Sequence, residues 1–279
     1  LRFVIAGKRT YKLFNSSWKY FFHFSIFLKK IISLMSLIDL SKQVALGVDI
    51  GGTNTKYGLV NHRGEILEKG SIKTDDYPKV EDFINALYET VSPLIKKHCE
   101  QKQFEGIGIG APNANYYRGT IEQAPNLSWK GVVPFAELIT KKFDVPCRMT
   151  NDANAAALGE MMYGAARGMQ DFIMITLGTG VGSGIVASGN LIYGHDGFAG
   201  ELGHTIVKRD GREHWSTGSK GSLEAYASAT GITITAKKLR AEFLHSMLND
   251  FPEDEINSET VFKCAEKGDE TAIEVFRYT

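Results

Sequence analysis

Two segments of this chain combine glycines with hydroxyl, amide and amine side chains, a composition typical of loops that bind phosphate. They are residues 49–56 and residues 176–182. Glycine lets the backbone approach phosphate oxygens and adopt positive φ angles, so that successive N–H groups can point into one concavity. Either segment alone also fits an ordinary hairpin turn, and neither has the P-loop spacing. The occurrence of both favours a phosphotransferase.

Two aspartates have positions suited to phosphoryl transfer. Asp49 lies near the end of a predicted strand and is the first residue of the first glycine segment, where its carboxylate can hold a Mg²⁺ with its water shell beside phosphates. Asp152 begins an alanine-rich helix, and the positive end of the helix dipole is expected to keep it ionised. Phosphoryl transfer needs a base that orients a hydroxyl and accepts its proton late. Asp152 is the candidate base, although an aspartate there also fits a simple helix cap.

A third group of polar residues follows the second glycine segment. Glu201 and His204 are spaced i,i+3, so on a helical turn they share a face, and Glu224 follows them. With Asn151 and Asp152, two carboxylates and an imidazole would form a ring that binds the hydroxyls of a polyol. Each glutamate taken alone is explained equally well as a solvated helix charge.

The composition excludes several classes of protein. The chain has 279 residues, with 32 basic and 32 acidic residues, and this balance argues against nucleic acid as a partner because such binding needs a basic face. The three scattered cysteines, Cys99, Cys147 and Cys264, lack CxxC spacing and indicate reduced thiols in the cytoplasm rather than a disulfide framework.

The first 34 residues differ from the rest, with seven Lys or Arg and no acidic residue. Lys29 and Lys30 interrupt the apolar run, which is then too short to span a bilayer, so no membrane partner is expected. The segment that begins at Met35 has the composition of the N-terminus of a cytosolic protein. We therefore expect residues 1–43 to be a disordered or artefactual extension, with a surface-binding helix or an export signal as alternatives.

The elements that must position these residues follow from periodicity and turn chemistry. Strands at 44–50, 57–60 and up to 72 predict an antiparallel meander, and apolar spacing predicts a helix over 80–98. A strand, a glycine turn and a second strand occur twice, which indicates a duplicated α/β lobe with a nucleotide clamped between the copies. Further predicted strands and helices are 106–110, 146–150, the helix from Asp152, 172–177, 184–187, 223–228, 232–248, 258–267 and a last helix from about Asp269.

These motifs resemble the ROK family of sugar kinases, in the actin–Hsp70–hexokinase superfamily. The resemblance extends from about Val44 to the end of the chain, and the motifs together are highly specific. They are residues 49–56, 110–113, 124–127, 151–154, 177–182, 200–204 and 223–224. The resemblance implies a two-lobed actin-like ATPase (ribonuclease H-like) α/β fold, with lobes at 44–150 and 151–279 that meet at a hinge near 145–155.

The resemblance also implies a reaction and a set of site residues. It implies ATP-dependent phosphorylation of a hexose at the 6-hydroxyl, most commonly glucose, with Asp152 as the catalytic base and Mg²⁺ held by Asp49. Sugar-binding residues would be Asn126, Asn151, Glu201, His204 and Glu224. ATP-binding residues would be Asp49, Gly51, Gly52, Thr53, Asn54, Lys56, Thr176, Gly178, Thr179, Gly180 and Gly182. The expected assembly is a homo-oligomer, commonly a dimer.

Other functions stay open at this point. An N-acetylhexosamine kinase or a fructokinase of the same family would share these motifs. From a different class, a non-catalytic sugar-binding protein or a sugar-responsive regulator of the ROK type would keep the sugar site. A regulator of that type carries a winged helix-turn-helix ahead of the kinase-like body, and residues 1–43 show no pair of capped helices.

The chain departs from the family pattern in two places. Most ROK proteins bind a structural zinc through the histidine at His204 and three cysteines, whose positions hold Trp215, Thr217 and Ser222 here. A tetrahedral site needs four ligands, so no zinc is expected, and the loop at 212–221 should pack differently, around Trp215. The second departure is the C-terminus, where the all-helical pattern predicts a truncated second lobe.

Overall fold

The protein is described by a computed structural model that covers residues 43–100 and 103–279. The predicted extension over residues 1–43 lies outside this range apart from Gln43. The strands are β1 (Val44–Ile50), β2 (Asn54–Asn61), β3 (Ile66–Lys73), β4 (Phe104–Gly110), β5 (Ala114–Asn115), β6 (Thr120–Glu122), β7 (Val132–Val133), β8 (Cys147–Thr150), β9 (Phe172–Leu177), β10 (Val181–Ala187) and β11 (Asn190–Leu191). The α-helices are α1 (Val80–His98), α2 (Phe135–Phe143), α3 (Asp152–Tyr163), α4 (Glu224–Ala227), α5 (Ala229–Glu242), α6 (Ser258–Glu266) and α7 (Glu270–Tyr278). The predicted α/β class is confirmed.

A five-stranded sheet with the order β3-β2-β1-β4-β8 carries the first glycine turn. The predicted meander is confirmed, since β1 pairs antiparallel with β2 and β2 with β3. Strand β4 lies parallel to β1, and β8 lies parallel to β4. In this register Asp49 stands opposite Lys56 on one side and Gly110 on the other. The carboxyl ends of β1, β4 and β8 therefore meet at one edge, where Asp49 and the start of α3 lie.

Helix α1 covers this sheet with the face that the sequence spacing predicted. Phe83, Leu87 and Val91 are fully buried at intervals of four residues. The Phe83 ring lies 4.8 Å from Trp129 and 6.1 Å from Phe135 between ring centroids. This aromatic group fixes the segment that contains residues 124–127 against the sheet.

Several short elements were not predicted from the sequence. Strands β5, β6 and β7 form a small antiparallel sheet, and with two or three residues each they are too short to show an alternating pattern. Helix α2 did leave a signal, because Phe135, Ile139 and Phe143 are buried at helical spacing. Asp144 ends α2 in the left-handed region, with φ 57°.

The C-terminal helices agree with the predicted pattern except at the C-terminal end of α5. The predicted helix over 232–248 is wrong beyond Glu242, where α5 ends and a 3₁₀ helix occupies Met247–Asp250. Asp269 explains the break, since one carboxylate oxygen accepts the Met247 N–H at 2.6 Å and the other lies 3.0 Å from the Ser246 hydroxyl. The same Asp269 caps α7, so one buried carboxylate organises two helix starts.

The chain divides into two compact units. The first contains the described residues up to Met174 together with Gly184–Gly200, and the second contains Ile175–Ser183 and Glu201–Thr279. Helix α3 thus belongs with the first unit, although the predicted lobes divide before it. The lobe boundaries at 44–150 and 151–279 stay a prediction. In the described part of the chain, no helix combines the length and the apolar character that crossing a membrane requires.

Candidate functional site

The first glycine turn joins β1 to β2 by close backbone approach. The Gly51 N–H donates to the Asn54 carbonyl at 3.1 Å, and a Cβ on Gly51 would stand 2.8 Å from that oxygen. A Cβ on Gly52 would stand 2.7 Å from the carbonyl oxygen of Asn126. Neither glycine has a positive φ, so of the two properties that glycine offers, the turn uses close approach and not the left-handed backbone. These glycines are required because two backbone segments pass where a side chain would be.

The second glycine segment agrees with the first in this respect. None of Gly178, Gly180 and Gly182 has a positive φ. The Gly178 N–H donates to Gly180 at 3.0 Å, and the Gly178 carbonyl accepts the N–H of Ala229 at the start of α5. The Thr230 hydroxyl donates to the Thr179 carbonyl at 3.0 Å. The turn is therefore fixed on the first residues of a helix in its own unit.

Asp49 and Asp152 lie close enough in the first unit for their charges to interact. Partial burial, the neighbouring Asp152 carboxylate and, in the opposite direction, Lys56 together raise the pKa of Asp49 to about 6. A bound cation would reduce the repulsion between these two neighbouring carboxylates. The pair therefore suits a Mg²⁺ ion that also binds phosphate oxygens, since this ion takes one or two protein carboxylates.

The start of α3 assigns separate roles to Asn151 and Asp152. Asn151 is the N-cap, and its side-chain oxygen accepts the Asn154 N–H at 2.7 Å. The interpretation of Asp152 as the cap is therefore wrong. Asp152 is the first helical residue, and its carboxylate accepts the N–H of Ala153 at 2.9 Å.

The surroundings of Asp152 change the pKa of its carboxyl group. Its side chain is exposed by surface area, yet the surrounding protein removes enough hydration to raise its pKa. The N–H of Ala153 lowers that pKa, but desolvation is the larger effect. Desolvation thus raises the proton affinity of Asp152 above that of a free aspartate, and the expectation that the helix end keeps this carboxylate ionised stays a prediction.

Glu224, at the start of α4, is the most tightly held of the predicted sugar-binding residues. One carboxylate oxygen accepts the Val181 N–H at 2.6 Å, and the other is 2.6 Å from Nε2 of His214. Gly180 and Gly203 leave room for this carboxylate. A Cβ on Gly180 would stand 2.4 Å from it, and a Cβ on Gly203 would stand 3.2 Å from it. With its side chain 15% exposed, Glu224 is not a solvated helix charge.

Glu201 and His204 lie in the same unit as Glu224. A 3₁₀ helix over Leu202–His204 places them on one face, as predicted from the i,i+3 spacing, with 4.0 Å between Glu201 Oε2 and His204 Nε2. Both side chains are about half exposed, at 46% and 47%. Asn126, in the first unit, is also exposed, and its backbone contacts the first glycine turn.

The loop at 212–221 is held by polar contacts. The guanidinium of Arg212 donates to the carbonyls of Ala225 and Gly231 and to the Thr235 hydroxyl, at 2.7–2.9 Å. Trp215 stacks on the buried ring of His214 but stays 44% exposed, so it takes part in the packing of this loop without being buried by it. Among the described residues, no group of three or more His, Cys, Asp or Glu side chains is arranged to hold a metal ion.

Arg212 and His214 have roles that were not predicted from the sequence. Arg212 resembles any exposed basic residue in a glycine-containing loop, and nothing in its neighbours signals its contacts. His214 had a weak signal, because it lies close to the positions where the family has zinc ligands. Its contact with Glu224 depends on the folded loop and could not be read from spacing.

Two glycines of the second turn form a matched pair for mutation. A Cβ on Gly180 would overlap the Glu224 carboxylate, whereas a Cβ on Gly178 has no atom within 4 Å. We expect Gly180→Ala to lower the free energy of unfolding by about 1–3 kcal/mol and Gly178→Ala to leave it within about 0.5 kcal/mol. Thermal unfolding of both variants measures this, and equal stabilities would contradict the packing of Gly180 on Glu224.

Comparison with known proteins identifies the family. The ROK family profile matches residues 45–279. The chain belongs to the ROK family. A glucokinase of Halalkalibacterium halodurans is 36% identical over 234 residues, which is 82% of this chain and 71% of that protein. A xylose repressor of Caldicellulosiruptor bescii is 32% identical over 83% of this chain and 59% of its own length.

A solved structure agrees with this membership. A ROK family glucokinase from Streptomyces griseus, in complex with glucose and AMPPNP, matches with a TM-score of 0.67 and 35% identity, over 84% of this chain and 75% of that one. The predicted actin-like fold is thereby confirmed. ROK proteins thus include both sugar kinases and sugar-responsive repressors similar to this chain, and the choice between them depends on the site.

Proposed function

We propose that this ROK protein is an ATP-dependent hexose kinase that phosphorylates the 6-hydroxyl, with glucose as the first candidate substrate. The observation that carries the proposal is the pair Asp49 and Asp152, two interacting carboxylates beside a glycine turn. A sugar-binding protein without catalysis has no need to keep two carboxylates so close that one of them raises the pKa of the other, as Asp152 does for Asp49. The similarity to glucokinases, one of them solved with glucose and AMPPNP, supports the substrate and the nucleotide.

Asp152 would orient the sugar hydroxyl and accept its proton as the bond to phosphorus forms. An increased proton affinity suits this role, because a base is most effective when its pKa approaches the working pH. Its carboxylate is fixed by the Ala153 N–H, so little reorganisation is needed. Asp49 would hold Mg²⁺, which when bound neutralises charge on the transferred phosphoryl group.

The glycine turns would bind the phosphates of ATP. In the first, Gly51 and Gly52 keep the backbone free of side chains, with Thr53, Asn54 and Lys56 as further donors. In the second, the open space beside Gly178 lets phosphate oxygens approach the backbone, with Thr176, Thr179, Gly180 and Gly182 around it. Gly178→Ala should therefore raise the KM for ATP while the protein stays folded.

Sugar hydroxyls would be bound by exposed polar side chains. Glu201 and His204, on one face of their 3₁₀ helix, offer an acceptor and an imidazole, and Glu224 retains lone pairs beyond its two internal hydrogen bonds. Asn126 and Asn151 would contribute amide groups.

The decisive test measures ADP release with Mg-ATP on a panel of glucose, N-acetylglucosamine, N-acetylmannosamine and fructose. Turnover on one sugar supports the kinase and identifies its substrate. Sugar binding by calorimetry without ADP release would overturn it in favour of a sugar-responsive binding protein, the alternative that the xylose repressor similarity favours.

Glu201→Gln should raise the sugar KM about tenfold and change kcat less, because an amide replaces a carboxylate that accepts two hydroxyls. Glu213→Gln, an exposed glutamate in the same unit, is the control. A sugar KM equal to that of the wild type would remove Glu201 from the site.

A further inference from the structure

A buried histidine connects the loop at 212–221 to the second glycine turn. His214 is 2% exposed, although histidine on a loop is ordinarily accessible to water. Its backbone closes the loop, because its N–H donates to the Ser219 carbonyl at 2.8 Å and its carbonyl accepts the Gly218 N–H at 3.0 Å. Trp215 stacks on one face of its ring, with 4.2 Å between centroids.

The contacts of the ring nitrogens determine its tautomer. Nδ1 lies 3.2 Å from the backbone nitrogens of Ser216 and Thr217. A backbone N–H can only donate, so Nδ1 is the acceptor and carries no proton. The proton of the neutral ring is then on Nε2. Nε2 therefore donates to the Glu224 carboxylate at 2.6 Å.

This contact continues into the glycine turn. The other oxygen of Glu224 accepts the Val181 N–H at 2.6 Å, and Val181 directly follows Gly180 in the turn. Two donors from opposite sides thus define the position of one carboxylate. A carboxylate has about four lone-pair sites, so two of them stay available for sugar hydroxyls.

We propose that His214 is a positioning residue that fixes the Glu224 carboxylate for sugar binding and joins the loop at 212–221 to the second glycine turn. The proposal rests on the proposed role of Glu224 in sugar binding. Hydrogen bonds of His214 would then hold this loop together. The family resemblance places zinc-binding cysteines at the positions of Trp215, Thr217 and Ser222 in this chain.

Two substitutions separate the functions of the two ring nitrogens. In His214→Asn the amide oxygen can replace Nδ1 and accept the loop N–H groups, but nothing reaches Glu224. In His214→Gln the longer side chain can place an N–H near Nε2 and donate to Glu224, while the acceptor for the loop is lost. Circular dichroism confirms that both variants fold.

Steady-state kinetics of the full chain provide the first measurement. We expect His214→Asn to raise the sugar KM about tenfold and to change kcat less, and His214→Gln to keep the sugar KM within about threefold of the wild type. Equal effects of the two variants on KM, or no effect of His214→Asn, would overturn the positioning role.

Amide hydrogen exchange provides a second measurement that does not depend on activity. His214→Asn should reduce the protection of the Val181 amide about tenfold and preserve that of Thr217, whereas His214→Gln should do the reverse. Val181 protection that is unchanged in His214→Asn would overturn the connection through Glu224. If the wild type shows no sugar turnover, the proposed kinase fails, while the exchange result still decides whether His214 holds Glu224.

Discussion

Replacing Asp152 with asparagine should reduce kcat by about a thousandfold or more and leave sugar binding nearly unchanged. General bases typically contribute factors of 10²–10⁴, and the amide cannot accept the proton of the attacking hydroxyl. The amide oxygen can still accept the Ala153 N–H that the carboxylate accepts at 2.9 Å. The helix cap is also retained, because Asn151 provides it.

The measurement is single-turnover phosphorylation together with calorimetric sugar binding. Asp76→Asn is the matched control, since Asp76 is an exposed aspartate of the first unit. A rate within tenfold of the wild type would remove Asp152 as the base. A large loss of stability in Asp152→Asn would also count against the prediction, because no buried partner of the carboxylate is lost.

The sequence predicts the elements around the candidate site well where the signal is local. The ends of β1 and β9 agree with the predicted strands to the residue, because apolar runs followed by glycine determine them. The start of α3 was predicted because the alanine-rich run that follows Asn151 and Asp152 favours a helix. At these positions the local sequence determines where the element begins or ends.

Properties that depend on contacts distant in sequence could not be predicted. Gly52 is required by the approach of the Asn126 carbonyl, a contact that the sequence does not reveal. Asp269 accepts hydrogen bonds at the start of α7 and at the start of the 3₁₀ helix over Met247–Asp250, 23 residues away at Ser246. The loss of hydration that raises the pKa of Asp152 likewise appears only in the folded chain. Each depends on a neighbour that periodicity does not reveal.

The second glycine turn shows the same limit at the level of function. Its sequence predicts a phosphate loop. The structure adds that the Glu224 carboxylate accepts a hydrogen bond from the Val181 N–H of that turn. A residue predicted for sugar binding therefore also holds the loop predicted for ATP. Mutations of Glu224 should consequently change the KM values of both substrates, so Glu201 is the better probe of sugar binding alone.

Replacing Asp49 with asparagine should stabilise the free protein at pH 8 and at the same time reduce kcat/KM for Mg-ATP about a hundredfold. The pKa of Asp49 is raised from 3.8 to about 6 in the folded state, so the folded protein binds this proton more tightly than the unfolded chain does. Stability from this group is therefore greatest below pH 4 and falls as the pH rises through 6.

The size of the effect follows from the same shift. About two pKa units correspond to roughly 3 kcal/mol as an upper limit, and because Asp49 is only partly buried we expect about 1–2 kcal/mol. Asparagine has no charge to desolvate, so the stabilisation should be present at pH 8 and absent at pH 4. Comparing the two pH values cancels any packing difference between the side chains.

Thermal unfolding with and without Mg-ATP completes the test. Mg-ATP should raise the Tm of the wild type and should raise that of Asp49→Asn far less, because the ion loses its carboxylate. A stability gain that is equal at pH 4 and pH 8 would contradict the electrostatic origin, and an equal Tm shift with Mg-ATP would remove Asp49 from the metal site. If both results are as expected, the free protein maintains two repelling carboxylates at a cost in stability that the bound cation offsets.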